Sequence, residues 1–232
     1  MKIALISDIH GNLDALRAVL DAAESKGVER ILFAGDLLGY YYQPAECLSL
    51  LKSWPCEYVR GNHEELFFAL LADSSLAESL RLRYGSSLLQ AQKTLSLEQI
   101  QTIQTWPETL ALTVDEVNIL LCHGSPWQND TYIYPDSEIT LLQRCAETGF
   151  DYVILGHTHY PMHKSWGKTQ ILNPGSVGQP RNRQPGASWG LLDTFSGSYH
   201  IYSEPYTRVA IQAQAQQWDP HLPYLWEVLE RT

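Results

Sequence analysis

The order of apolar runs in the first 61 residues constrains the fold more than any other feature of this chain. Runs typical of buried strands are KIALIS at 2–7, ILFAG at 31–35 and CEYVRG at 56–61. NLDALRAVLDAAESKG, after the first run, has apolar residues at helical spacing, and PAECLSLLKSW carries Pro44, which suits a first helical turn. This β-α-β-α-β order predicts a parallel sheet with helices on its faces.

The rest of the chain predicts further helices and then a strand-rich region. Helices are expected at 64–72, 76–93, 96–106 and 136–149, and Ser96 and Gln99 have the spacing of a capping box. Strands are expected at 109–114 and 117–122, as a hairpin, and at 151–156. From 168 onward, KTQILN, ASWGLLD, SYHIYS and TRVAIQ predict a second, largely antiparallel sheet. A helical tail is predicted at 219–232, and because no repeat or linker interrupts the chain, we expect a single domain over 1–232.

Composition and charge argue against several classes of function. The net charge is -10 and no long block of Lys or Arg occurs, which argues against a nucleic-acid-binding surface and against a membrane-binding one. No apolar run is long enough to span a bilayer. The four cysteines form no CxxC pair and the first apolar run is too short for an export signal, so we expect reduced thiols in a cytoplasmic protein.

Five of the predicted strands end in polar residues of the kinds that bind metals. These residues are Asp8, His10, Asp36, Asn62, His63, His123, His157 and His159. In an open α/β sheet, ligands bind at the carboxyl ends of the strands, so we expect these side chains to converge on one rim. Asp8 and His10 are two residues apart, as are His157 and His159, and in extended chain such side chains project to the same side.

The types of these side chains indicate which ions they would bind. Imidazole and carboxylate ligands favour Zn, Mn, Fe, Co or Ni over Ca, and the absence of thiolate argues against a structural zinc site. The candidate ligands are too many for one tetrahedral ion. They suit two divalent metal ions that share a bridging carboxylate, about 3.5–4 Å apart. Such a site would keep a positive charge, and would attract an anion to an otherwise acidic protein.

The motifs at these strand ends resemble those of the calcineurin-like metallophosphoesterases. The matching stretches are DIH at 8–10, GDLLGY at 35–40, GNHE at 61–64, CHG at 122–124 and GHTH at 156–159, in the family's order. HGNLDAL, VRGNHE, HGSP and NPGSVGQPR resemble the small bacterial and archaeal phosphodiesterase branch of that family. The resemblance implies an α/β fold, a four-layer αββα sandwich of two mixed β-sheets flanked by helices.

The same resemblance implies a role for each residue at the rim. One metal ion is assigned Asp8, His10 and His159. The other is assigned Asn62, His123 and His157, and Asp36 is the bridge between them. His63 matches a non-ligand histidine that contacts the substrate phosphate or protonates the leaving oxygen. The implied enzyme is a dimetal-dependent phosphoesterase that hydrolyses small phosphate esters, phosphodiesters or nucleotides, by in-line attack of a metal-bridging hydroxide.

One departure from the family narrows the expected substrate. Serine/threonine protein phosphatases usually continue the second motif as GDxVDRG, whereas this chain has GDLLGY and lacks the Asp-Arg pair. This departure favours small phosphoesters over phosphoproteins. Arg60 occupies the place of a phosphate-contacting arginine in that branch. Arg181 and Arg183, in a loop rich in Gly and Pro, are further candidates for contact with the substrate.

Several alternatives stay open from the sequence. A dinucleoside polyphosphate hydrolase and a serine/threonine-type phosphatase are alternative activities, and a metal-binding module without turnover would be expected to have lost ligands that this chain keeps. Trp218, Tyr224 and Trp226 of the tail suit either an interface in a homo-oligomer or docking on the chain's own domain. Manganese is one of several metals that these ligands accept.

Overall fold

The computed structural model describes residues 1–231, so Thr232, the last residue of the predicted helical tail, lies outside the described part. The first half contains β1 Lys2–Ile6, α1 Leu13–Ser25, β2 Arg30–Phe33, α2 Pro44–Leu51, β3 Cys56–Tyr58, α3 Asn62–Ala72, a 3-10 turn Ser74–Leu76, α4 Ala77–Tyr84, α5 Ser87–Thr94 and α6 Leu97–Gln104. The second half contains β4 Thr109–Val114, β5 Val117–Cys122, α7 Ile139–Ala146, β6 Tyr152–Ile154, β7 Pro161–Trp166, β8 Thr169–Pro174, β9 Ala187–Asp193, β10 Ser198–Glu204, α8 Val209–Trp218, α9 Tyr224–Glu227 and a 3-10 turn Val228–Glu230.

The first sheet combines the three N-terminal strands with two strands from late in the chain, in the order β10-β9-β1-β2-β3. β1 and β2 pair in parallel, as do β2 and β3, which confirms the β-α-β-α-β prediction. β9 pairs antiparallel with β1, and β10 with β9. The assignment of ASWGLLD and SYHIYS to a separate sheet is therefore wrong. β9 is buried along almost its whole length, because it lies inside the molecule between two layers.

The second sheet is mixed rather than largely antiparallel, with the order β4-β5-β6-β8-β7. The predicted hairpin of β4 and β5 is confirmed, and Asp115 and Glu116 at its turn both have left-handed backbone, as a tight hairpin turn requires. β5, β6 and β8 are mutually parallel, and β7 closes one edge antiparallel to β8. β7 is a strand that was not predicted from the sequence.

Alternate residues of each strand face different layers, and this arrangement builds a four-layer molecule. Leu5 of β1 packs between the two sheets with Ile154 of β6. Its neighbour Ile6 faces outward into the cluster formed with α1 and α2. On the outer face of the second sheet, Leu120 of β5 packs with Cys145 of α7. The two mixed five-stranded sheets flanked by helices confirm the predicted αββα sandwich.

Two helical regions differ from their predictions for local reasons. Residues 76–93 form two helices rather than one, because Gly85 has φ of 82° and ends α4. TRVAIQ is predicted as a strand, yet α8 begins at Val209. Ile211 and Ala215 are buried one turn apart on α8, and the Ala- and Gln-rich sequence around them favours a helix.

The tail of the chain packs on the chain's own domain. Leu225 and Leu229 cluster with Tyr41 and Tyr42, and Trp218 lies edge-on to Tyr42 with ring centroids 4.7 Å apart. Docking on the own domain, one of the two alternatives for the tail, is thus observed, and a homo-oligomer stays a prediction. Across residues 1–231, no helix has the length and apolar character needed to cross a membrane.

Candidate metal centre

The predicted ligands lie on the turns that follow β1, β2, β5 and β6 and in the first turn of α3. Five of them have left-handed backbone with φ between 51° and 66°: Asp8, His10, Asp36, His157 and His159. The predicted extended conformation of the pairs Asp8/His10 and His157/His159 is therefore wrong, although the side chains do converge. Left-handed non-glycine residues are strained and cluster at functional sites.

One group of candidate ligands contains Asp8, His10 and His159, and all three side chains are buried. The Nε2 atom of His159 lies 3.2 Å from Asp8 Oδ1 and 3.2 Å from His10 Nε2. Asp8 Oδ2 accepts hydrogen bonds from the Ser7 hydroxyl and from the backbone N–H of His157. Asp8 Oδ1 is buried without a hydrogen-bond partner and faces the other two ligands.

A second group contains Asp36, His123 and His157, with Asn62 beside it. The Nε2 atom of His123 lies 3.1 Å from His157 Nδ1, 3.1 Å from Asn62 Oδ1 and 3.3 Å from Asp36 Oδ2. The same Asp36 Oδ2 lies 3.8 Å from His10 Nε2 in the first group. Asp36 is therefore the carboxylate between the two groups, at the position that the resemblance assigns to the bridge.

Four imidazole rings are oriented by main-chain carbonyl groups. The Nδ1 atoms of His10, His123 and His159 lie 2.6–2.7 Å from the carbonyl oxygens of Leu38, Ala34 and Gln179 respectively. His157 is reversed, with Nε2 3.2 Å from the carbonyl oxygen of Asp130. A carbonyl only accepts, so each outer nitrogen carries the hydrogen, and each inner nitrogen is the one that can coordinate a metal.

The charges of the cluster fit a cation. Burial lowers the pKa of His10 and that of His157, the latter to about 4, so both rings are neutral near pH 7. Burial alone would raise the pKa of Asp8, but His159 holds it well below its usual range, so Asp8 is ionised. Burial opposes a proton on His123, yet Asp36 raises its pKa to about 10, so without metal the inner nitrogen of this ring holds a proton that a bound cation would displace. Two buried carboxylates facing imidazole nitrogens, with one oxygen unpartnered, form a donor set suited to divalent metals.

His63 lies close to both groups and is held at its backbone. Its N–H donates a 2.9 Å hydrogen bond to Asp36 Oδ1, while its ring Nδ1 is buried and has no partner. The ring centroid is 4.8 Å from that of Tyr40 and 4.9 Å from that of Tyr84. Gly39 passes directly beside the ring, and a Cβ there would overlap it, which explains a glycine at this position. Burial lowers the pKa of His63 to about 4.

Glu64 joins the two chain segments that carry Asp36 and His63. Its carboxylate accepts hydrogen bonds from the backbone N–H groups of Asp36 and Leu38, both at 3.0 Å, and of Gly61 at 2.7 Å. The side chain is fully buried. Glu64 thus fixes the turn after β2 against the start of α3, and with it the distance between Asp36 and Asn62.

Most of the sequence matches a family whose chemistry agrees with this geometry. The family model of the calcineurin-like phosphoesterase superfamily domain matches residues 1–197. The chain belongs to this superfamily. It is therefore a metallophosphoesterase, a metal-dependent hydrolase of phosphate esters.

Individual relatives of this metallophosphoesterase come from archaea and bacteria. It is 30% identical to an uncharacterized protein of Methanocaldococcus jannaschii over 215 residues, which cover 82% of each chain. It is 26% identical to the phosphodiesterase YfcE of Escherichia coli strain K12 over 203 residues, 83% of this chain and 88% of that one. The crystal structure of a metallophosphoesterase from Sphaerobacter thermophilus superposes with a TM-score of 0.79 at 27% identity, and covers 100% of this chain and 98% of that chain.

The metallophosphoesterase has a narrow cleft above its ligand cluster, of about 30 Å³. Beyond the ligands and His63, its walls are Tyr40, Tyr84, Tyr132 and Arg181. Arg181 donates hydrogen bonds from Nη2 to the Tyr40 hydroxyl at 3.2 Å and to Gln179 Oε1 at 3.0 Å, and its buried Nε has no partner. A cation thus faces the cleft, next to the ligands.

The other two candidate arginines lie elsewhere. Arg60 donates a 2.7 Å hydrogen bond to Glu108 and does not line the cleft. Arg183 is exposed on its loop and does not line the cleft either. Of the three, only Arg181 is brought to the ligand cluster.

Sequence reasoning missed the aromatic wall of the cleft. Tyr132 packs against His157 with ring centroids 3.9 Å apart, and Tyr84 packs against His63. Arg83 lies in an adjoining groove of about 430 Å³ with both tyrosines. Tyr40 ends the GDLLGY motif and could have been predicted from it. Tyr84 and Tyr132 lie in segments without any motif, so the sequence offered no comparable signal for them.

Proposed function

We propose that this metallophosphoesterase is a dinuclear enzyme that hydrolyses phosphodiesters and small nucleotides. The observation that carries the proposal is the position of Asp36. Its Oδ2 lies 3.3 Å from His123 in one ligand group and 3.8 Å from His10 in the other, so one carboxylate serves both groups. Shared carboxylates of this kind are typical of sites with two metals.

The residues of this chain would divide the work as follows. One divalent ion would be held by Asp8, His10 and His159. The other would be held by Asn62, His123 and His157, and Asp36 would bind both ions. When bound, such ions supply an activated water nucleophile and neutralise charge on the phosphoryl oxygens. Arg181 would orient the phosphate from the side of His159, since its backbone N–H lies 3.4 Å from the carbonyl oxygen of His159 and its guanidinium faces the cleft.

His63 would act on the leaving oxygen or on the phosphate. Its ring is neutral near pH 7, because burial lowers its pKa to about 4. A neutral imidazole still offers one N–H for a hydrogen bond to the phosphate. The negative charge of a bound phosphate would raise the pKa of the ring, so that the ring could take up a proton from water and transfer it to the leaving oxygen. The unpartnered Nδ1 leaves the ring with hydrogen-bonding capacity that the protein does not use.

The charge of the cleft favours diesters over monoesters. Arg181 is the one arginine among the residues that line the cleft. Arg60 is paired with Glu108 and does not add a second positive charge there. A monoester dianion calls for more positive contacts than a diester, which carries a single charge on its phosphorus. The relative YfcE is named a phosphodiesterase, which agrees with this preference.

A dinucleoside polyphosphate is the second candidate substrate, and the grooves beside the cleft favour it. One groove of about 430 Å³ contains Arg83, Tyr84 and Tyr132. Another, of about 600 Å³, contains Arg181 with Tyr134 and Tyr160. Tyrosine faces with a nearby arginine suit a nucleobase attached to a phosphate chain.

The test is a substrate panel on protein loaded in turn with Mn, Ni, Zn, Fe and Co. The panel contains bis(p-nitrophenyl) phosphate, a cyclic nucleotide, a dinucleoside polyphosphate and a phosphoserine peptide, and Asp36→Asn is the inactive control. We expect the diester or the nucleotides to be cleaved well and the peptide poorly. Efficient peptide hydrolysis without diester cleavage would favour a serine/threonine-type phosphatase, and metal binding without turnover on any ester would favour a non-catalytic module.

Further parts of the proposal concern the setting of the enzyme. Manganese is the first metal to supply, because the ligand set of oxygen and imidazole donors accepts it. The four cysteines are free thiols, three of them buried, in keeping with the expected cytoplasmic setting.

A homo-oligomer is tested by sedimentation, in which a monomer at high concentration would contradict it.

A further inference from the structure

The C-terminal strap, defined here as residues 208–230, covers the tyrosine-rich side of the metal cleft. It consists of α8, α9 and the final 3-10 turn, and it begins after residue 197, where the family match ends. Its apolar residues Ile211, Ala215 and Leu225 are buried against Tyr41 and Tyr42. The strap is therefore a packed part of this domain rather than a free tail.

The strongest polar anchor of the strap is Asp219, which is fully buried after the end of α8. Its carboxylate accepts a 2.8 Å hydrogen bond from the Tyr42 hydroxyl. It also accepts 2.8 Å hydrogen bonds from the backbone N–H and from the hydroxyl of Ser86. Gly85 fits closely here, since a Cβ on it would lie 2.9 Å from Asp219 Oδ2. One carboxylate thus joins the loop after β2 to the junction of α4 and α5.

Two further anchors come from α9. The Tyr41 hydroxyl donates a 2.9 Å hydrogen bond to the carbonyl oxygen of Leu225. The Tyr224 hydroxyl lies 3.5 Å from Gln179 Oε1, the same oxygen that accepts a 3.0 Å hydrogen bond from Arg181. Leu225 O therefore gives the loop after β2 a second anchor, and Tyr224 connects the strap to one more loop at the cleft, the one that carries Gln179.

Each anchored residue lies one or two positions from a side chain that lines the cleft. Tyr41 follows Tyr40, Ser86 is two residues after Tyr84, and Gln179 is two residues before Arg181. We propose that the C-terminal strap positions the substrate-facing wall of the cleft, and that Asp219 is its main positioning residue. This proposal rests on the proposed function, because the wall it positions is the one assigned there to substrate.

The strap should affect substrate binding more than the chemical step. None of the hydrogen bonds of Asp219 reaches a predicted metal ligand or His63, whereas they fix the segments of Tyr40 and Tyr84. A displaced wall weakens contact with the substrate but leaves the ligand cluster intact. Losing a contact that binds the substrate and the transition state equally raises KM and leaves kcat unchanged.

The experiment compares Asp219→Ala with Asp219→Asn. The amide keeps an oxygen for the Ser86 N–H and offers an NH2 to the hydroxyls of Tyr42 and Ser86, so it should restore most of the anchor. Kinetics use Mn-loaded protein with bis(p-nitrophenyl) phosphate. Hydrogen exchange of the metal-free protein reports on peptides that cover 39–43 and 84–88. Thr169→Val is the matched control, because it removes a part-buried 2.7 Å hydrogen bond from a β8 side chain in the second sheet to the carbonyl oxygen of Phe150.

We expect Asp219→Ala to raise KM about tenfold, the scale of one lost buried hydrogen bond, with kcat and metal content nearly unchanged. Exchange should rise in both peptides, whereas Asp219→Asn and Thr169→Val should stay near wild type in KM. If Asp219→Ala does not fold, Tyr42→Phe and Ser86→Ala remove single bonds and should each give a smaller shift in the same direction.

Two results would overturn the proposal. One is a lower melting temperature with unchanged KM and unchanged exchange in the two peptides, which would make the strap merely structural. The other is a parallel fall in kcat and metal content, which would place its effect at the ligands. If wild-type protein cleaves none of the esters with any metal, the proposed function fails, and the exchange data still decide whether the strap fixes the two segments.

Discussion

Replacing Glu64 by alanine tests how much the metal centre depends on a residue that binds no metal. The Glu64 carboxylate accepts three backbone N–H groups, from Asp36, Leu38 and Gly61, at 2.7–3.0 Å. These bonds connect the turn that carries the shared carboxylate to the helix that begins with Asn62. We expect Glu64→Ala to weaken both the fold and the metal site.

The size of the effect follows from two opposing contributions. Each buried N–H left without an acceptor costs about 1–3 kcal/mol, so three of them cost roughly 3–9 kcal/mol. Against this, burial and the charge of Asp36 raise the pKa of Glu64 to about 8 from 4.5. The unfolded carboxyl is ionised at pH 7, whereas the folded surroundings oppose the charge by up to about 3 kcal/mol, a cost that the substitution removes. The net loss of stability is then about 3 kcal/mol.

The assay is urea unfolding of the metal-free protein at pH 7, followed by Mn titration of the folded variants. Glu65→Ala is the matched control. It alters the same helical turn, but its carboxylate bonds only the side chain of Asn129 among the described residues. We expect Glu65→Ala to lose less than about 1 kcal/mol, and Glu64→Ala to bind Mn about 10- to 100-fold more weakly than wild type. Equal losses of stability and metal affinity in the two variants would refute the role assigned to Glu64.

Three further predictions concern the centre itself. Asp36→Asn should lose both metal ions and most of the activity, whereas Asp8→Asn should lose one metal ion. Elemental analysis after desalting measures the metal content of each variant. Equal metal loss in the two variants would contradict a shared carboxylate. His63→Gln should slow esters with poor leaving groups by about 10²–10⁴-fold and nitrophenyl esters much less, whereas equal loss on both would mean that His63 orients the phosphate. Cys122→Ala should cost about 1 kcal/mol of stability and leave turnover intact, because its thiol only packs and contacts the Ile154 carbonyl; abolished turnover with metal still bound would contradict this.

Much of the fold was predictable because the relevant signals are local. Apolar runs and helical spacing gave the β-α-β-α-β half correctly, and the capping box of Ser96 and Gln99 is present with hydrogen bonds of 2.9 and 3.2 Å. The sheet membership of β9 and β10 was not predictable in the same way. Strand pairing across the chain depends on which buried faces meet, and the alternation within one strand does not carry that information.

The candidate site was predictable to the extent that it depends on strand ends. All eight polar residues at those ends lie together in the structure, because the parallel strands end on one rim. The side chains that shape the cleft were harder to predict. Arg60 sits next to the GNHE motif, yet it pairs with Glu108, a residue brought near only by the folded chain. Tyr84 and Tyr132 reach the cleft from segments whose local sequence has no metal motif.

The backbone of the candidate ligands explains why strand ends can supply so many of them. In an extended strand, successive side chains alternate between two layers of the sandwich, and both layers are apolar here. A ligand that stayed in the strand would point into one of those cores. The left-handed conformation of Asp8, Asp36 and His157 turns the chain at the rim, so that each side chain leaves the layers and joins the cluster there. Such a turn is strained by about 1–2 kcal/mol per residue. The strain is therefore tied to the presentation of the ligands, and the buried acceptors and donors around them hold it in place.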